Sequence, residues 1–238
     1  MRPKNQPLPH DPSFSSEIRP RLIKLKSFYL LIGLILTLLV CVLVASTYIS
    51  ATHQNISLPA LMRDPSIYAG LPPYIGLISN LGVLLWCSTT TLCLFGSLLL
   101  KESSQKTKSS FLLYGGLFSM LLTFDDLFLL HENSFWLRGL LSIPEKFIFL
   151  AYGMLLILFL IRFWRIIFNT KEWRMLTFSL MLFSASISVD LLNMPIPYSE
   201  TILVEDGCKL FGIFFWFSYY LSICWEIPYR SSQQPTEH

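Results

Sequence analysis

Six long, unbroken apolar runs constrain this chain more than any other feature. A bilayer core of about 30 Å needs about 20 apolar residues of helix per crossing, and runs at 28–50, 74–100, 111–131, 145–168, 175–193 and 203–226 each meet that length. They are continuous and not alternating, so they read as helices and not as the strands of an outer-membrane barrel. Composition agrees: 53% of the 238 residues are hydrophobic and 14% charged, against roughly a quarter charged in a soluble domain. One soluble core could not hide nineteen Phe and six Trp without leaving large apolar patches in water. The expected fold is an all-α, polytopic integral membrane bundle of about six helices.

Charge sets the expected orientation. Arg2, Lys4, Arg19, Arg21, Lys24 and Lys26 precede the first run; Lys101, Lys106 and Lys108 follow the second. Arg162, Arg165, Lys171 and Arg174 surround the loop after the fourth, and Arg230 follows the sixth. The other side holds only Arg63, Arg138, Lys146 and Lys209, so the positive-inside rule places both termini in the cytoplasm. Nine of the fifteen acids fall toward the opposite, outer side. The basic face reads as orientation plus attraction to anionic lipid heads. Nucleic acid is not an expected partner, because no basic module with interleaved aromatics lies outside the spans.

Residues 1–27, with five prolines and scattered charge, read as a flexible cytosolic tail. They do not resemble a secretory signal, and the first apolar run is longer than the 7–15 residues of a signal h-region, so it reads as an anchor that stays. The expected organisation is a tail at 1–27, one membrane domain at 28–226 and a short cytosolic tail at 227–238. A bacterial plasma membrane is the expected location.

Cys41, Cys87, Cys93, Cys208 and Cys224 all fall within spans with no C-x-x-C spacing, which predicts packing residues and neither a disulfide framework nor a thiolate zinc site. Asn55-Ile56-Ser57 is an outer-side sequon.

Charges inside a span cost about 2.5–3.5 kcal/mol each on insertion scales and normally face the bundle interior, water or one another. The third run ends with Asp125 and Asp126, then His131 and Glu132. On a continuous helix Glu132 falls about 20° from Asp125, with Tyr114 on the same stripe deeper in, while His131 points elsewhere. The sixth run opens with Glu205, Asp206, Gly207, Cys208 and Lys209, spaced so that Lys209 can be neutralised on its own helix, and its stripe continues through Gly212, Trp216 and Tyr219 or Tyr220. Gly212 admits a close neighbour. Asp126 and Asp190 are expected near the surface. The fifth run carries Ser179, Phe183, Ser186 and Asp190 on one face, the second carries Asn80, Cys87 and Thr91, and Glu145 opens the fourth. Serine and threonine in the second and fifth runs read as interhelical glue.

The candidate polar cluster is thus Asp125, Glu132, Asp190, Glu205 and Lys209, with Asp125, Glu132, Glu205 and His131 as the set able to hold a divalent metal. So oxygen-rich a set favours Mg²⁺, Ca²⁺ or Mn²⁺ over zinc. Three functions stand open. The simplest is a structural or assembly subunit whose polar groups hold the bundle. The second is a membrane enzyme acting on a lipid or other amphiphile at the outer leaflet, its closely spaced carboxylates dividing acid and base roles. The third is a proton- or ion-coupled transporter.

The string Asp125-Asp126-Leu127-Phe128-Leu129-Leu130-His131-Glu132, followed by Glu205-Asp206-Gly207-Cys208-Lys209-Leu210-Phe211-Gly212, resembles a loose group of uncharacterised bacterial multipass membrane proteins. Their pattern is an acidic pair, four residues, His-Glu, and a later acidic pair ahead of a glycine. The resemblance covers two of the six runs and implies no activity. Alkaline-ceramidase-like membrane hydrolases share intramembrane Ser, Asp and His, but the chain lacks their His-x-x-x-His in the last helix.

Overall fold

Helices account for every regular element among the described residues of the computed structural model, which are 33–35, 37–53, 57–72, 74–101, 105–130, 145–191 and 198–231. The long helices fall on the six apolar runs. They are α1 (Gly33–His53), α4 (Leu77–Leu100), α5 (Lys106–Phe128), α6 (Glu145–Asn169), α7 (Trp173–Leu191) and α8 (Tyr198–Ser231), with short α2 (Leu58–Met62) and α3 (Pro65–Tyr68) between the first two. Five of them, all but α7, are long and apolar enough to cross a membrane, and α7 carries a shorter apolar stretch, Trp173–Val189. The expected tail at 1–27 lies outside the described residues. At the other end α8 runs five residues past the expected boundary at 226. At 34 residues it is about 51 Å long, well beyond a bilayer core of about 30 Å.

The chain divides into two compact units, residues 1–75 and 76–238. In the first, none of the described α1 residues is buried. Asp64 caps α3: its carboxylate accepts from the amides of Ser66 at 2.8 Å and Ile67 at 3.3 Å, and Pro65 supplies a first helical residue that needs no amide partner. Ser57 Oγ lies 3.1 Å from the Tyr68 hydroxyl, tying the start of α2 to the end of α3.

In the second unit α4 packs against both α5 and α8, α8 packs against α7, and α6 lies more loosely between α5 and α7, closing a five-helix ring. Side-chain pairings give the directions. Trp86 meets Asp126 and Ser97 meets Ser109, so α4 and α5 are antiparallel. Gly82 faces Ile213 and Gly96 faces Cys224, so α4 and α8 are parallel. One end of the ring therefore holds the starts of α4, α6 and α8 and the ends of α5 and α7.

Small residues and hydroxyls bring these helices together, the pattern of helix packing between long apolar helices. Ser97 Oγ donates to Ser109 O and Ser109 Oγ to Ser97 O, each at 2.9 Å, locking α4 to α5. Ser179 Oγ donates to Gly212 O at 2.8 Å across α7 and α8. The face of α4 that packs is Gly82, Trp86, Thr89, Cys93, Gly96 and Ser97; Asn80, Cys87 and Thr91 are exposed, and Thr91 Oγ1 returns to its own helix at Cys87 O. All five cysteines are free thiols.

The core is aromatic. Phe111 stacks on Phe159 and Tyr220 at centroid separations of 5.4 and 5.7 Å, with Phe163 and Tyr219 edge-on to it. The outer surface stays apolar, with Trp225 79% and Leu203 74% exposed, a surface that suits lipid and not water. Inside, the Tyr220 hydroxyl is buried without a hydrogen-bond partner. Leaving a donor unpaired costs about 1–3 kcal/mol, so Tyr220→Phe is expected to leave stability unchanged or raise it by up to about that amount. Thermal unfolding of the two proteins in the same detergent checks this.

Candidate functional site

The α5 helix stops just past its acidic pair. Leu129 takes a left-handed conformation, φ 50°, and the amide of Leu130 closes on Asp125 O at 3.1 Å. The expected stripe from Asp125 to Glu132 assumed a helix continuing to 131, and α5 instead ends at Phe128. His131 and Glu132 lie outside the described residues.

Within its last turn α5 presents both aspartates to other helices. Asp125 is 4% exposed, and the Tyr152 hydroxyl of α6 donates to its Oδ1 at 3.0 Å. Asp126 takes a hydrogen bond from Trp86 Nε1 of α4 at 3.0 Å on Oδ2 and an ion pair from Lys209 Nζ of α8 at 2.7 Å on Oδ1. Four helices are thus joined through two adjacent carboxylates. One expectation is corrected here: Asp126 does not sit as a solvated surface acid, its side chain being only 8% exposed, and Lys209 reaches across to α5 to pair with it in addition to the acids that its own helix places near it. Trp86 and Tyr152 were the residues that the sequence pattern did not single out. A signal existed for both: tryptophan in mid-span and a lone tyrosine in the apolar run of α6 each bring a polar atom that needs a partner.

These groups open onto a cavity of about 180 Å³ lined by all five helices of the unit. Asp125, Asp126, Glu205 and Lys209 give it three carboxylates and one ammonium. Trp86, Phe118, Phe149, Tyr152, Phe183 and Trp216 give it aromatic walls. Phe183 stacks on Trp86 at 5.8 Å, and Trp216 sits edge-on to Trp86 at 6.1 Å. Trp216 is fixed in turn by donating Nε1 to Ser119 Oγ at 3.0 Å. Gly212 allows this arrangement as its place on the α8 stripe suggested: a Cβ there would lie 2.7 Å from the Phe183 ring. Ser186 of α7 also lines the cavity, as the shared face of Ser179, Phe183 and Ser186 implied.

Of the candidate residues, then, Asp125, Glu205 and Lys209 meet at one cavity. Asp190 lies within α7, four residues past Ser186, and its side chain, like that of Glu145, lies outside the described residues. Tyr114, expected on the stripe of Asp125, packs beside Phe163 of α6, outside this cavity. Among the described residues no group of three or more His, Cys, Asp or Glu is placed to hold a metal ion. Two members of the candidate metal set, His131 and Glu132, fall outside them.

Chemically, a phenol hydrogen-bonded to a buried carboxylate can pass a proton, and aromatic faces beside carboxylates can hold an organic cation. The cavity's described lining contains one hydroxyl nucleophile, Ser186, and no histidine or cysteine.

A family model for a domain of unknown function, DUF8692, matches residues 33–223. The chain belongs to this family. The match runs from α1 into α8 and takes in every residue of the cavity. No curated protein and no solved structure matches the chain.

Proposed function

We propose that this DUF8692 protein is a six-span integral membrane protein with both termini on the Lys/Arg-rich side, and that its cavity binds a small amphiphilic organic cation. The observation that carries the reading is the lining: six aromatic side chains and three carboxylates around one lysine that is already paired with Asp126. Ligand sites are concave and mostly apolar, with a few polar groups that set orientation. An ammonium seated on aromatic faces gains about 2 kcal/mol or more when desolvated. At about 180 Å³ the space is near that of an engineered cavity of about 150 Å³ that takes up benzene, so it suits a trimethylammonium head on a short apolar body and not a whole lipid.

The aromatic cluster around Phe111, Tyr219 and Tyr220 fills the bundle on the far side of Trp216, which favours a closed binding site over an open path across the bundle. A second reading, a structural or assembly subunit, is supported by the way Trp86, Asp126, Lys209, Asp125 and Tyr152 fasten four helices together.

Thermal unfolding with and without hexyltrimethylammonium separates the two. Binding of the native state raises the melting temperature with ligand concentration. Asp125→Asn keeps an acceptor for Tyr152 and so keeps the fold, but is expected to weaken the response at least tenfold. A wild type that ignores the cation, beside a folded Asp125→Asn variant, leaves the structural reading standing.

A further inference from the structure

We infer that the groove between α5 and α6 holds one acyl chain of an anionic phospholipid, with its phosphate against Arg162. The inference rests on the membrane-spanning reading and is independent of the cation proposed for the cavity. Where α6 draws away from α5 the two helices leave a space of about 680 Å³. Tyr114, Leu117 and Leu121 of α5 wall it on one side, Leu155 and Leu158 of α6 on the other, and Phe159 and Phe163 stand against Phe111 at its base.

Length argues for a lipid chain. From Ser110 to Leu121 the α5 wall rises eleven residues, about 16 Å, or half of a bilayer core of about 30 Å: the depth of one leaflet. Charge argues for the head. Arg162 closes the groove at the end where α5 begins, with Lys106 and Lys108 in the first turn of that helix, and the described lining contains no acid. The Arg162 guanidinium lies 5.4 Å from the Phe163 ring centroid, and no ion pair engages it among the described residues. Its planar fork of donors matches phosphate oxygens, and a basic rim attracts anionic lipid heads. Lipid that merely coats the protein would leave this depression filled at random and indifferent to headgroup. A chain whose head is fixed at Arg162 would be retained selectively.

The experiment is native mass spectrometry of the full chain in maltoside detergent, supplied with phosphatidylglycerol or phosphatidylcholine. Wild type is expected to retain one phosphatidylglycerol per chain in clear preference to phosphatidylcholine. Arg162→Gln is expected to lower phosphatidylglycerol retention at least tenfold, to the phosphatidylcholine level. Leu158→Trp, which fills the groove from an exposed position, is expected to abolish retention of both; circular dichroism establishes that each variant is folded. Equal retention of the two lipids by wild type would overturn the site. Unchanged retention in folded Leu158→Trp would overturn the chain slot even if Arg162→Gln had lost binding.

Discussion

Asp126→Ala is expected to lower the stability of the bundle by about 3 kcal/mol, toward the low end of the 3–5 kcal/mol seen when one partner of a buried ion pair is removed. The Asp126 side chain is 8% exposed and accepts from both Trp86 and Lys209, so its loss leaves an ammonium and an indole N–H without their partner in the interior. The lower end applies because Lys209 keeps 36% of its side chain exposed and can draw on water. Replacing the pair by apolar groups should restore part of the loss: Asp126→Ala with Lys209→Met removes the orphaned charge and leaves the unpaired Trp86 donor, which costs about 1–3 kcal/mol. The midpoint of denaturation in mixed micelles measures both. Equal midpoints for wild type and Asp126→Ala would mean that this carboxylate does not tie α4, α5 and α8 together.

Gly115→Ala is expected to destabilise, although alanine is the better helix former by about 1 kcal/mol. A Cβ at this position would stand 2.7 Å from Tyr220 Cζ and closer still to its hydroxyl. The ring cannot yield easily, because Phe111 stacks on it at 5.7 Å while Trp216 and Tyr219 pack beside it at 5.4 and 5.3 Å. Overpacking of a filled core costs about 1–3 kcal/mol, so the clash should outweigh the propensity gain, and Gly115→Val should be worse. Gly153 supplies the control. A Cβ there meets nothing within 4 Å, so Gly153→Ala should be neutral or stabilise by up to about 1 kcal/mol. If both alanines raised the melting temperature alike, the close approach of α5 to Tyr220 would be wrong.

Much of this fold could be read from hydropathy because a bilayer demands long apolar helices and little else in the chain satisfies that demand. Each of the six expected runs overlaps a long helix, and their ends differ by a few residues where polar flanks still extend the backbone hydrogen bonding, as at Lys106 and Ser231. Helical periodicity was equally reliable within a single element: Gly212, Trp216, Tyr219 and Tyr220 share the buried face of α8, and Ser179, Phe183 and Ser186 that of α7 or the cavity it lines.

Periodicity says nothing of which helices are neighbours, and the polar cluster depends on that. From spacing alone Lys209 had acids three and four residues away, whereas Asp126 is brought to it only because α5 and α8 meet around α4. Tyr152 and Trp86 each carried a polar atom that needed a partner, but which carboxylate would meet it, Asp125 or Asp126, emerged only with the packing. On α4 the polar face at Asn80, Cys87 and Thr91 looked like the one to bury, yet the seam with α5 and α8 selected Gly82, Cys93 and Gly96 for their size. Close approach between helices ranked above polarity there.

The most direct test of the binding reading is an isothermal titration of the detergent-purified full chain with hexyltrimethylammonium, set beside hexanol and hexyl sulfate. Carboxylates and aromatic faces around Asp125, Glu205 and Trp216 predict one saturable site for the cation from which the sulfate does not displace it, and at least tenfold weaker uptake of the alcohol. Equal binding of all three, or saturation by the sulfate alone, would contradict it.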